Sequence, residues 1–253
     1  MKKISLIFAI FPLLMTSCFQ LDNYDAPDAG IDGTLIDIET GSPVYTEQPD
    51  GCRIELMDLS YENPTPLQFW AKADGTFRNV ALFSGDYDVT PTEGPFFPVE
   101  AERVHLKGVT KHDFKVTPFL KVNIEEIVYG EPGSAEVTVK YTIRRSTTPE
   151  GMTIGKKTIS ESRLLCNIYP VVSCYNSCFI EENSTTKVLS RSTDASIESK
   201  VYEDPVKNLK SGQKYYIRVA ALSSCSYNST LKRYNYTPVI ELSLIHISEP
   251  TRL

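Results

Sequence analysis

Residues 74–90 read DGTFRNVALFSGDYDVT. Asp74-Gly75 is a hairpin pair, because both residues tolerate the positive φ that a tight turn needs. Thr76-Phe77 then opens a strand. Gly85 precedes another, in which Tyr87 and Val89 alternate with Asp88 and Thr90. Alternation at period two marks a strand with one buried face. The pattern recurs outward in both directions. Arg53–Asp58, Arg103–Lys107 and His112–Val116 alternate, and Gly33–Asp37 is short and β-rich, with a turn over residues 39–43 behind it. About six short strands separated by turns make the rhythm of a β-sandwich over residues 30–118.

Residues 119–241 repeat the theme. Leu120–Ile127 and Ala135–Ile143 read as strands separated by Tyr129-Gly-Glu-Pro-Gly133. Leu209-x-x-Gly212-x-x-Tyr215-x-Ile217-x-Val219-x-Ala221 is a turn followed by an alternating strand, and residues 236–241 make a final strand. Residues 147–160 and 184–199 are polar and rich in Ser and Thr, which suits loops with room for a short helix. The fold class expected is all-β: two tandem β-sandwich domains, 30–118 and 119–241.

Two sets of residues carry a family resemblance. Gly33-x-Leu-x-Asp37-x-x-Thr40-Gly41-x-Pro43, Asp74-Gly75-Thr-Phe77 and Gly85-x-Tyr87-x-Val89 resemble the carboxypeptidase-regulatory, prealbumin-like fold. The resemblance makes the glycines turn positions and Phe77, Tyr87 and Val89 core, none of them catalytic. The Leu209–Ala221 stretch resembles the tyrosine-corner strand of fibronectin type III domains, in which the Tyr hydroxyl bonds back to preceding backbone.

Residues 18–241 as a whole resemble a family of Bacteroidetes lipoproteins of unknown function, prealbumin-like first and fibronectin-like second. Tyr24–Gly30, Phe69–Asn79 and Glu93–Val99 are its most specific segments. The resemblance implies a gene neighbourhood with a porin and lid-lipoprotein importer of glycans, the SusC/SusD type, as partner.

The N-terminus reads as an address. Lys2 and Lys3 precede the apolar block Ile4–Met15, which is too short for the roughly 20 residues that span a bilayer. It is expected to be a signal peptide, residues 1–17. Met15-Thr-Ser-Cys18 resembles a lipobox, which implies lipidation at Cys18 and a membrane partner through that anchor. Two or more acyl chains give stable anchoring, at about 0.8 kcal/mol per buried CH₂. Residues 18–29 are a short acidic tether, and they loosely resemble a surface-export signal. The expected location is the outer membrane, surface face before periplasmic face. Residues 242–253, LSLIHISEPTRL, resemble a translated sequencing adapter, so the authentic chain is expected to end near Glu241.

Of 253 residues, 41% are hydrophobic, enough to build a core, and the net charge is −6. Setting aside Lys2, Lys3, Glu249 and Arg252 leaves 23 basic and 31 acidic residues. Such a chain has no electrostatic footprint for nucleic acid or for anionic lipid.

No nucleophile elbow, His-Glu-x-x-His site or phosphate loop is present, so no catalytic, metal-binding or cofactor-binding residue is assigned. His105 and His112 read as solvated strand residues. Cys52, Cys166, Cys174, Cys178 and Cys225 leave three options, one of them a zinc site, for which no histidine lies nearby in sequence. Bridges could join Cys174 to Cys178 and Cys166 to Cys225, or the thiols could be buried and unpaired.

Aromatic residues in turn-rich segments are the remaining lead: Tyr61, Phe69, Trp70, Phe96 and Phe97. A sugar's C–H face stacks on a flat ring, and Gln68, Lys72 and Arg78 could bond its hydroxyls. The alternative places these rings in the core or between domains. The expected function is a non-catalytic accessory of glycan uptake that binds polysaccharide or docks on the importer. The rival is a structural spacer or adhesin-like module without a small ligand. A hydrolase rests only on the abundance of carboxylates.

Overall fold

The computed structural model describes residues 25–131, 134–225 and 232–244. The signal segment, Cys18 and residues 245–253 lie outside the described residues. No described helix is long and apolar enough to cross a membrane.

The first unit holds β1 (Ala29–Asp37), β2 (Arg53–Asp58), β3 (Leu67–Trp70), β4 (Thr76–Leu82), β5 (Gly85–Thr92), β6 (Glu102–Leu106), β7 (Gly108–Lys111) and β8 (Phe114–Val116). One sheet runs β4-β1-β7, with β8 also on β1, and the other runs β3-β2-β5-β6. The inward faces meet in a core that includes Ile31, Leu35, Phe77, Tyr87, Val89 and Phe114. Gly33 has a steric reason to be glycine: a Cβ there would come within 1.8 Å of the His112 carbonyl oxygen.

The turn at Asp74-Gly75 forms, with Gly75 at φ +81° and its N–H donating to Lys72 O at 2.9 Å. It is not a hairpin. β3 pairs with β2 and β4 pairs with β1, so the chain crosses from one sheet to the other here. The turn before Gly85 does the same, because β5 returns to β2. The local chemistry specifies a tight reversal, but the partner of each strand comes from the far side of the core. β3 and β7 are two strands beyond the six expected. Both are four residues long, and β7 is open to solvent on most positions, so its alternation is weak.

The second unit holds β9 (Leu120–Tyr129), β10 (Val137–Arg145), β11 (Ile159–Asn167), β12 (Thr185–Val188), α1 (Asp194–Glu198), β13 (Tyr202–Val206), β14 (Lys214–Ser223), β15 (Tyr234–Tyr236) and β16 (Ile240–Ser243). Its sheets run β13-β10-β9 and β12-β11-β14-β15, with β16 also on β14. Tyr215 heads β14 as a corner: its hydroxyl accepts the Lys210 N–H at 3.1 Å and donates to Gln213 Oε1 at 3.0 Å. The polar stretches read as loops in the sequence contain the start of β11 and all of β12, besides the short helix. β16 runs to Ser243, and Leu242 and Leu244 are fully buried in the second core.

Neither bridge weighed from the sequence is formed. Cys52, Cys166, Cys174 and Cys178 are free thiols, and burial pushes the Cys166 and Cys174 thiols up to about 12. Such thiols pack as small hydrophobes and are poor nucleophiles at neutral pH.

Candidate functional site

The aromatic residues singled out in the sequence do not come together. Phe96 and Phe97 are inside, Phe96 in the first core and Phe97 in the second, edge-on to Phe119 at 4.9 Å. Neither offers a face to a sugar; both sit where the chain passes between the units. Tyr61 is 66% exposed, just past the end of β2. It lies at the opposite end of the β2–β3 pair from Trp70, whose register partner is Arg53. Phe69 is half-buried, 6.4 Å from Phe77. Arg78 pairs with Asp32 on the outer face of the other sheet.

Trp70 sits on edge strand β3 beneath two guanidinium groups. Arg53 lies 4.5 Å and Arg233 5.6 Å from its ring centroid. Arg53 and Arg233 in turn face Glu93 Oε2 at 3.1 and 3.5 Å. Arg53 also donates to Gln68 Oε1, and Gln68 donates to Glu55 Oε2, both at 2.6 Å. A 210 Å³ hollow bounded by Arg53, Gln68, Phe69 and Trp70 lies beside this cluster. The ring is occupied in tying Arg233 of the second unit to the first, and cation–π contacts of this kind contribute about 0.5–2 kcal/mol.

A different aromatic residue has the placement the sequence reading sought. Tyr45 lies on the segment between β1 and β2, half-buried where the two units meet. Its neighbours are pinned: Val44 N–H donates to Leu35 O at 2.8 Å, and Thr46 N–H donates to Ala73 O at 3.1 Å. The Thr46 carbonyl also accepts from Arg218 at 3.1 Å. Two open cavities flank Tyr45. One, of 320 Å³, has Asp37, Thr40, Ser42, Asn123 and Pro238 among its lining. The other, of 510 Å³, has Gln48, Lys72, Asp74 and Pro170, with Arg218 at its base. Tyr169, beside Pro170, is 65% exposed. Hydroxyls, amides and single charges around a fixed ring are the groups that recognise a sugar.

The base of the cleft is polar and buried. Arg218 donates through Nε to Thr237 O at 2.7 Å, through Nη1 to Thr46 O and Val172 O, and through Nη2 to Ala73 O, these last three at 3.1 Å. Burial holds its pKa down to about 10, against an ordinary 12.5.

Glu47, also buried, has its carboxyl raised above the ordinary 4.5 by loss of solvent, against the opposing pull of Arg233, Tyr236 and Arg218. The folded state therefore binds this proton more tightly than the unfolded chain. Stability from this group is present below pH 4.5 and falls as pH rises through its folded pKa. Glu47→Gln is expected to flatten that fall, and urea titrations from pH 4 to 7 would read it. An unchanged slope would mean that Glu47 does not titrate with folding.

His105 and His112 each face one surface carboxylate, Asp86 at 2.8 Å and Glu102 at 3.0 Å. Among the described residues, no group of three or more His, Cys, Asp or Glu side chains comes together as a metal site. Tyr45 and the cleft were missed in the sequence because Pro43-Val-Tyr-Thr-Glu47 has no periodicity and its partners lie far along the chain. The proline-flanked tyrosines at 45 and 169 were the available signal.

The fold and cleft define a class of two-unit, all-β proteins. Residues 29–117 match the family model described as "Protein of unknown function (DUF3823) N-terminal domain". The chain is similar to the crystal structure of a DUF3823 family protein from Bacteroides uniformis, with TM-score 0.72 and 24% identity over 86% of this chain and 100% of that one. It is similar to a second protein from that organism, described as a "putative carbohydrate binding protein", with TM-score 0.70 and 25% identity over the same shares. A DUF3823 family protein from Parabacteroides merdae follows at TM-score 0.63 and 21% identity, over 87% of this chain and 100% of that one. No curated protein matches the chain. The resemblance to a Bacteroidetes family of unknown function, read from the motifs, is the one these relatives share.

Proposed function

We propose that this chain is a non-catalytic envelope lipoprotein that binds glycan in the cleft between its two units, as an accessory of a SusC/SusD-type importer. The observation that carries the reading is Tyr45, on a segment pinned by backbone bonds on both sides and lining two open cavities that have polar groups at their walls. A pinned backbone lowers the conformational entropy that the segment loses on binding, which favours stacking on its ring. The description of the second Bacteroides uniformis relative agrees with this class of ligand. The acyl anchor at Cys18 would hold the cleft at the membrane that carries the importer.

Affinity electrophoresis of the full chain through gels containing soluble polysaccharides tests the binding. Retardation on at least one polymer is expected, lost in Tyr45→Ala and kept in Trp70→Ala, because the Trp70 ring is engaged by Arg53 and Arg233. Free migration on every polymer would sink the reading. Labelled palmitate incorporated by the wild-type chain and not by Cys18→Ser is the expected result for the anchor.

A further inference from the structure

We propose that the two cavities are one binding groove, and that its ligand is an extended, uncharged glycan chain crossing Tyr45 from one cavity to the other. This rests on the glycan reading above and adds the ligand's length and charge. Tyr45 lines both cavities, so the two adjoin at this residue. Each cavity alone has the volume of a pocket for one small ligand, about 300–1,000 Å³. Both are open to solvent, so a chain could enter at one and leave at the other. A ligand that stacks on Tyr45 and fills both sides is therefore a run of sugars, longer than one cavity holds.

The charges argue that this run is neutral. The cations in the groove have carboxylates or backbone carbonyls nearby. Lys121 contacts Glu39 and lies 3.8 Å from Asp37. Lys72 is exposed and shares its cavity with Asp74, two residues on. Arg218, buried at the base, spends its donors on four backbone carbonyls and feels the charge of Glu47. A polyanion in the groove would meet the carboxylate of Asp74 as well as these cations, a repulsion that a neutral chain avoids. The exposed polar groups Thr40, Ser42 and Asn123 on one side, and the half-buried Gln48 on the other, suit hydroxyls.

The test uses the full chain in two stages. Gels containing barley β-glucan, arabinoxylan, galactomannan or starch are compared with gels containing polygalacturonate or chondroitin sulfate, at low and high salt. Calorimetry then follows a ladder of oligosaccharides cut from whichever neutral polymer retards the protein. Affinity is expected to rise about tenfold or more between fragments that fill one cavity and those that span both. Retardation should be insensitive to salt. Asn123→Ala in one cavity and Lys72→Ala in the other should each weaken only the longer fragments. Tyr45→Ala should weaken all of them about tenfold, with Tyr45→Phe retaining stacking as the control for folding.

A disaccharide that binds as tightly as the polymer would overturn the inference while leaving glycan binding intact. So would binding confined to the polyanions and abolished by salt. Absence of retardation on all polymers would remove the underlying reading itself.

Discussion

Replacing Arg218 with methionine is expected to cost the fold about 3–5 kcal/mol. The side chain is only 1% exposed, yet it carries a charge and donates to four carbonyls drawn from both units. Thr46 and Ala73 belong to the first unit, Val172 and Thr237 to the second. Its guanidinium carbon also lies 4.2 Å from the Tyr236 ring centroid. Methionine fills the stem's volume but leaves the carbonyls without their donors and Glu47 without a neighbouring cation. A buried acceptor that loses its partner costs about 1–3 kcal/mol, and water entering from the open cleft would recover part of that. Arg218→Lys should fall between, because one ammonium cannot reproduce a planar fork that serves four acceptors. The midpoint of urea unfolding reads the loss. Limited proteolysis at the junction should show the first unit loosened from the second before either core opens. A methionine variant with the wild-type midpoint would mean that the units are held together by their apolar contacts alone.

Asp194→Ala carries the second large effect, again about 3–5 kcal/mol. The carboxylate is fully buried at the start of α1. It accepts from Thr158 N–H at 2.8 Å, Thr158 Oγ1 at 2.6 Å and Ile159 N–H at 2.9 Å. Arg145 stands 3.5 Å away. One side chain thus secures the start of β11 where it leaves a polar loop. Alanine would remove the carboxylate that accepts from the backbone N–H groups of Thr158 and Ile159. Asp194→Asn keeps one oxygen but turns an amide donor toward donors, so it should recover only part of the loss. A fall in melting temperature on the order of 10 °C for the alanine variant is expected from the size of the chain. A fall within 2 °C would show that water replaces the carboxylate at little cost. Neither change touches Tyr45, so glycan binding by the folded fraction should persist in Asp194→Ala.

β14 shows where reading from residues succeeds and where it stops. The alternation Tyr215, Ile217, Val219, Ala221 points those four side chains into the second core, and all are buried there. Period two assigns the intervening residues to the outer face, where an arginine would be solvated. Yet Arg218, Ala220 and Leu222 are buried as well. The segment carrying Tyr45 and the loop after β11 cover that face, forming a small third cluster around Leu165, Val172 and Tyr236. Alternation reports one face of a strand; whether the other meets water depends on residues up to 172 positions away.

Trp70 depends on distant residues in the same way. The sequence leaves its ring either a sugar platform or a contact in the core or between domains, and Arg233, one of the two arginines over it, is 163 positions further on. Phe96 and Phe97 read as a pair, but the chain passes between the units at that point and sends them into different cores.

What residues alone determine here is local. They set the β character, the turns at Gly75 and Gly212, the inward rings of Phe77 and Tyr87, and the corner tyrosine at 215. Each follows from backbone sterics or period-two burial within about ten residues of chain. Which sheet each strand joins, why an arginine can be buried, and where a ring stays open to solvent were decided by packing one unit on the other. Those outcomes depend on which distant carbonyls and carboxylates arrive at the junction, and no local pattern encodes that meeting.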